Sequence, residues 1–231
     1  MTRMPPPDPA KTAVVIAETG ETLTHGELAA IANRYGHAFR ALGLGVGDGV
    51  AWCVGNSPAF FKLLLASHRS GLYYTPVSTY LGPKEIAYIV RDCGARVFVV
   101  SQTLADNAQA LRELLESHVE LYSIGGGLPG YTPLEPLADD RPTTLPEAAT
   151  TGQDLLYSSG TTGQPKGIKL PLPDRAIDEI SPAGVATMHL YRWSPDVTYL
   201  SPAPLYHAAP LRFNLLNMIV GGTSVVLRHF D

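Results

Sequence analysis

The chain has 231 residues, enough for one large domain or two small ones around a sizeable core. Lysine and arginine number 17 against 21 aspartates and glutamates, a net charge of -4 with no basic cluster, so a nucleic-acid surface has no electrostatic support. With 45% hydrophobic and 16% charged residues the composition leans apolar, which favours small-molecule work in a buried pocket or at an interface.

The start, MTRMPPPDPAKTAVVIAETG, carries prolines where a secretory signal needs its apolar stretch. Residues 1–11 therefore read as a flexible leader. No later run reaches the length of a membrane span, and the expectation is a cytoplasmic protein without a transmembrane segment. The two cysteines, Cys53 and Cys93, lie in or beside apolar elements without a CxxC spacing, which fits core packing in a reducing compartment.

AVVIAETGETLT predicts two short strands about the turn Thr19-Gly20. THGELAAIANRYGHAFRALG predicts a helix: Thr24 and Glu27 have capping-box spacing, Leu28, Ile31, Ala32, Tyr35, Phe39 and Leu42 share a face, and Gly43 stops it. A buried strand follows around Ala51–Val54, then a helix with Ser57 as cap and Pro58 in its first turn, ended by Gly71. The alternation continues: strand YYTPV, helix from Pro83, strand ARVFVVS, helix TLADNAQALRELLES, strand VELYSI. Such alternation, with strands apolar throughout, predicts an α/β fold whose mostly parallel sheet is flanked by helices on both faces.

Residues 125–151 are rich in proline and glycine and read as a long surface connection. Residues 155–170 read as strand, glycine loop, strand. DRAIDEISPAGVATMHLYRW is helical in part and interrupted at Pro182. VTYLSPAPLYHAAP is a strand running into a loop, LRFNLLNMIVGG an apolar helix and TSVVLRHFD a strand. This divides the chain into a first α/β lobe over 12–150 and, over 151–231, the glycine loop with the beginning of a second lobe.

The loop within LLYSSGTTGQPKGIKL concentrates Ser158, Ser159, Gly160, Thr161, Thr162, Gly163 and Lys166. Glycine amides converge on a phosphate because no Cβ blocks the approach, and hydroxyls and an ammonium add donors of the right sign. A Walker loop counted from Gly160 would have Pro165 in place of its second glycine and Gly167 in place of the magnesium-holding Ser or Thr, so that reading fails. A nucleophile elbow fails too, because Leu156 and Tyr157 stand two residues before the serines. The composition alone also suits a solvated loop between strands.

In its order, YSSGTTGQPKG resembles the phosphate-binding signature of the adenylate-forming superfamily, whose members include acyl-CoA synthetases, aryl-CoA ligases, firefly-type luciferases and peptide-synthetase adenylation domains. The stretch from Leu23 to Val100 resembles that superfamily's opening lobe, and SPAPLYHAAP its next motif. The resemblance implies a carboxylate–CoA ligase: a fatty or other organic acid attacks ATP, with Mg2+, to form an acyl-adenylate and pyrophosphate, and coenzyme A takes the acyl group. It implies that Ser158, Ser159, Gly160, Thr161, Thr162, Gly163 and Lys166 hold the β- and γ-phosphates, and that Tyr206 and His207 line the carboxylate end. Lys166 is then a phosphate clamp, not the separate catalytic lysine of the family. The remaining six histidines show no paired metal spacing.

Members of the superfamily are much longer. The segments that would hold adenine, ribose and magnesium, and the small C-terminal domain, find no match here, so the resemblance implies no complete catalytic set and an inactive isolated chain. Pro171 and Pro173 stand where many relatives carry a threonine or serine and a histidine. Two other readings stay open: a naturally short non-catalytic protein that binds a ligand or partner, and part of a peptide-synthetase adenylation domain. The apolar end, residues 198–230, is expected to leave a strand at a sheet edge and to drive self-association.

Overall fold

The computed structural model describes residues 2–158 and 164–229. Its start is not loose: β1 (Thr2–Arg3) pairs antiparallel with a two-residue strand at Glu179–Ile180, and the Met4 amide donates to the Asp178 carbonyl at 2.9 Å. The hairpin β2 (Thr12–Ile16) and β3 (Thr22–Thr24) then feeds α1 (His25–Ala41). The predicted capping box is formed: Thr24 Oγ1 accepts from the Glu27 amide at 3.1 Å, and Glu27 Oε2 accepts from the Thr24 amide at 2.8 Å. Gly43, at φ 77°, takes the left-handed turn that ends the helix.

From β4 (Gly49–Cys53) the chain winds through α2 (Pro58–Arg69), β5 (Tyr73–Pro76), α3 (Pro83–Asp92), β6 (Ala95–Ser101), α4 (Ala108–Leu115) and β7 (Glu120–Ile124). The strand β4 has β5 on one side and β6 on the other, so the winding reverses across it. Both its faces are buried. Val50, Trp52 and Val54 pack with α1 and α2, whereas Ala51 and Cys53 pack with α3 and α4, which is why this strand is apolar at every position. Both cysteines are buried and free.

The connection after β7 is not the surface loop that its turn residues suggest. It contains β8 (Thr132–Pro133) and α5 (Glu135–Ala138), and Leu128, Tyr131, Leu134 and Ala138 are buried. Those apolar residues are spaced too irregularly to register as a helix or strand, yet each fills a core position. The seven-stranded sheet is completed by β9 (Gln153–Ser158), parallel to β5, and β10 (Lys166–Lys169), antiparallel to β9.

The second half of the chain holds β11 (Glu179–Ile180), α6 (Pro182–Tyr191), β12 (Thr198–Ser201), α7 (Ala208–Val220) and β13 (Thr223–Val226). Pro182 opens α6 instead of interrupting a helix: it stands at the first helical position, where no amide is missed, and Ser181 Oγ caps Gly184 at 3.1 Å. A four-stranded sheet has the order β12-β13-β2-β3, so strands from the two ends of the sequence share it, while β9 and β10 belong with the first sheet. Within residues 198–230 the strand at the sheet edge among the described residues is β12, whereas β13 is flanked on both sides.

Ser57 precedes α2 but caps nothing, since its hydroxyl donates to the Gly55 carbonyl at 3.1 Å. Thr24→Ala should therefore cost about 1 kcal/mol in urea unfolding. Ser57→Ala should cost only a few tenths, and equal losses would show that the two caps are equivalent.

Candidate functional site

The glycine loop is the crossing of a hairpin. Ser158 and Lys166 are register partners, both exposed, at the mouth of β9 and β10. Ser159, Gly160, Thr161, Thr162 and Gly163 lie outside the described residues. The stem beneath them is fixed at two places. Tyr157 Oη donates to Asp92 Oδ2 at the end of α3, 2.5 Å away; burial, and then that hydrogen bond, push its pKa above the usual tyrosine range. At the other end, Lys169 Nζ sits 4.4 Å from the centre of the Tyr73 ring, and Tyr73 Oη donates to the Leu170 carbonyl at 3.0 Å. Gly167 faces Tyr157 across the hairpin, and a Cβ there would lie 2.8 Å from the ring, so the glycine makes room for the tyrosine that anchors the stem.

Strands β4, β5, β6 and β9 are mutually parallel, so the hairpin mouth opens beyond their C-terminal ends, beside the reversal of winding at β4. Open α/β sheets place ligands there. The second motif arrives at the same end through Asn56, which follows β4. Its Oδ1 accepts from the Leu205 amide at 2.9 Å, and its Nδ2 donates to the carbonyls of Leu227 at 2.8 Å and Ala203 at 3.2 Å. Ala203 lies two residues past β12 and Leu227 one residue past β13, so one side chain gathers the C-terminal ends of three strands from both sheets.

Tyr206 and His207 follow at once. Their rings pack at 4.4 Å between centres, with His207 exposed as the N-cap residue of α7. No side chain caps the helix, which leaves its first amides open toward solvent and its positive end available to an anion. One turn on, Arg212 reaches the buried carboxylate of Asp154, near the start of β9, with Nε at 3.0 Å and Nη2 at 2.7 Å from Oδ2. Asp154 therefore ties α7 to the strand that ends at Ser158. Sequence reasoning missed Asn56, Asp154 and Arg212. A charged residue inside the apolar strand QDLLYS signals a partner without saying which.

The profile of the family described as AMP-binding enzyme matches residues 5–231. The chain belongs to this family. A feruloyl-CoA synthase from Amycolatopsis is 30% identical over 223 residues, which cover 95% of this chain and 42% of that protein. The chain thus spans about two-fifths of the length of the curated relatives it matches. Among solved structures, ATP-bound MatB from Rhodopseudomonas palustris is similar with a TM-score of 0.78 at 26% identity, covering 97% of this chain and 43% of that one. An anthranilate CoA ligase in complex with anthranoyl-AMP is similar with a TM-score of 0.77 at 27% identity, covering 95% and 42%. The AMP-binding family is thus the one whose signature the hairpin carries. No helix among the described residues is long and apolar enough to cross a membrane.

Asn56→Ala should leave the Leu205 amide and two loop carbonyls without their partner, costing about 2 kcal/mol. Hydrogen exchange at the Leu205 amide should quicken more than exchange within β4. Unchanged protection at Leu205 would show that the loop is held by something else.

Proposed function

We propose that this chain supplies the phosphate- and carboxylate-binding part of an ATP-dependent carboxylate–CoA ligase. The observation that carries the reading is the Ser158–Lys166 hairpin mouth, at the same end of the sheets as the His207 terminus of α7. The carboxylate oxygen of an organic acid attacks the α-phosphorus of MgATP, the bond to the bridging oxygen breaks, and pyrophosphate leaves. The sulfur of coenzyme A then attacks the acyl carbon and AMP departs.

In this reading Lys166 neutralises charge on the leaving pyrophosphate. The hydroxyls of Ser158, Ser159, Thr161 and Thr162 and the amides of Gly160 and Gly163 donate to its oxygens, which is positioning and charge stabilisation without proton transfer. Tyr206 and His207 border the acid, and the uncapped end of α7 favours its negative charge. Magnesium enters with the phosphates of the substrate. No group of three metal-binding side chains exists among the described residues. The acids of the relatives differ, as ferulate and anthranilate illustrate.

In the full-length gene product, replacing Thr161 and Thr162 together with alanine should slow acid-dependent ATP–pyrophosphate exchange by about two orders of magnitude, the scale for losing oxyanion-type donors. Thioester formation from pre-made acyl-adenylate should change far less. Equal losses in both half-reactions would reduce the loop to a structural element.

A second surface supports self-association. No residue of α6 is fully buried, Leu190 is 74% exposed, and Leu200 on the edge strand β12 is 57% exposed. An apolar edge with open backbone groups pairs readily with a second copy of itself. The mass by light scattering should rise with concentration for this chain and stay monomeric in Leu190→Lys/Leu200→Lys. A concentration-independent monomer would remove the proposal.

A further inference from the structure

A cavity of about 270 Å³ lies at the opposite end of α7 from His207, between the proline-rich start of the chain, α1, the end of α2 and the last turn of α7. Met218 is eleven residues beyond His207, about 16 Å along the helix axis at 1.5 Å per residue. The walls are mostly apolar: prolines 5–7, Leu28, Leu65, Met218 and Ile219. Two cationic or imidazole groups break this lining. His68 is 2% exposed and its Nδ1 is buried without a hydrogen-bond partner, while the Gly152 backbone interacts with the ring. Beside it, Arg69 has one hydrogen bond among the described residues, from Nη1 to Asn33 Oδ1 at 3.2 Å, and forms no ion pair there.

A guanidinium in an apolar cavity without a carboxylate partner is an uncompensated charge, and a buried imidazole nitrogen without a partner is an unfilled hydrogen bond. The acid that also lines the cavity, Asp178, is drawn toward Arg3 at 3.5 Å instead. His25, the remaining polar group of the lining, is already engaged by the Gly222 carbonyl at 3.0 Å. We propose that this cavity is a second binding site, for a small monocarboxylate with a short apolar tail. Its carboxylate bonds Arg69 and His68, and its tail lies against Leu65, Met218 and Ile219. Burial, and then the charges of Arg175 and Arg69, lower the His68 pKa to about 3 against the opposing effect of the Gly152 backbone, so the ring is neutral and carries a single N–H. The volume lies just below the range of drug-sized pockets, which fits an acid of a few carbons.

The test is titration of the chain with hexanoate and, separately, with 1-hexanol, followed by amide chemical shifts. Hexanoate should move the amides of Gly26, Ala29 and Ile219, saturating at concentrations at least tenfold lower than 1-hexanol requires. Arg69→Met should weaken hexanoate at least tenfold at these amides. Ala29→Leu, which narrows the cavity from α1 and touches no charge, should abolish the shifts and decides the matter if Arg69→Met fails to fold. Shifts confined to residues 203–209 would assign the acid to the His207 end and overturn the proposal. So would equal affinity for the alcohol, or unaltered binding in Ala29→Leu.

Discussion

A side-chain amide has one acceptor and two donor hydrogens, and Asn56 spends all three on backbone that no sheet can satisfy. Ala203 and Leu227 lie just past the ends of β12 and β13, and both residues are half-buried. An unpaired group in that setting costs more than a hydrogen bond normally contributes. Because Asn56 itself leaves β4, satisfying those groups also forces the C-terminal ends of the two sheets together.

The helix α7 carries the geometry from this point. Its sequence, AAPLRFNLLNMIV, is so apolar that hydrophobic burial alone would let it slide or rotate on the sheet. Polar pins prevent that. Asn214 Nδ2 donates to Ser201 Oγ of β12 at 2.9 Å. Asn217 takes the Trp193 indole N–H at 2.6 Å on Oδ1 and donates from Nδ2 to Ser224 Oγ of β13 at 3.1 Å. Together with Arg212 on Asp154, these bonds fix both the rotation and the register of the helix. His207 therefore starts from a helix that cannot drift relative to β9.

Local patterns foretold much of this fold. The capping box at Thr24 and Glu27, the continuous apolar strands and the glycine stops are short-range signals, and each formed where chain-local chemistry dictates. Harder to foresee were features that depend on distant partners. That Pro182 starts a helix instead of breaking one depends on where the helix begins, which Ser181 decides. The pairing of β2 with β13 brings together residues over two hundred positions apart, and alternation of strands and helices says nothing about it. Of the candidate site, YSSGTTGQPKG and YH stand out as ordered motifs, whereas Asn56, Asp154 and Arg212 are single polar residues whose meaning appears only once the sheets are assembled.

The two ends of α7 also bear on how a ligand in the distal cavity can act. A ligand shifts a conformational equilibrium only through different affinities for two states, and a transmitting element must have two arrangements. Sliding α7 would break the bonds of Asn214, Asn217 and Arg212 at once, leaving a buried carboxylate and several buried amides unpaired. That cost opposes any alternative register. Occupancy of the cavity therefore strengthens the present packing of the chain's start against α1, α2 and α7 instead of moving His207. Its thermodynamic signature is stabilisation by mass action, about 2.7 kcal/mol at a hundredfold excess over the dissociation constant, with the hairpin mouth left as it stands.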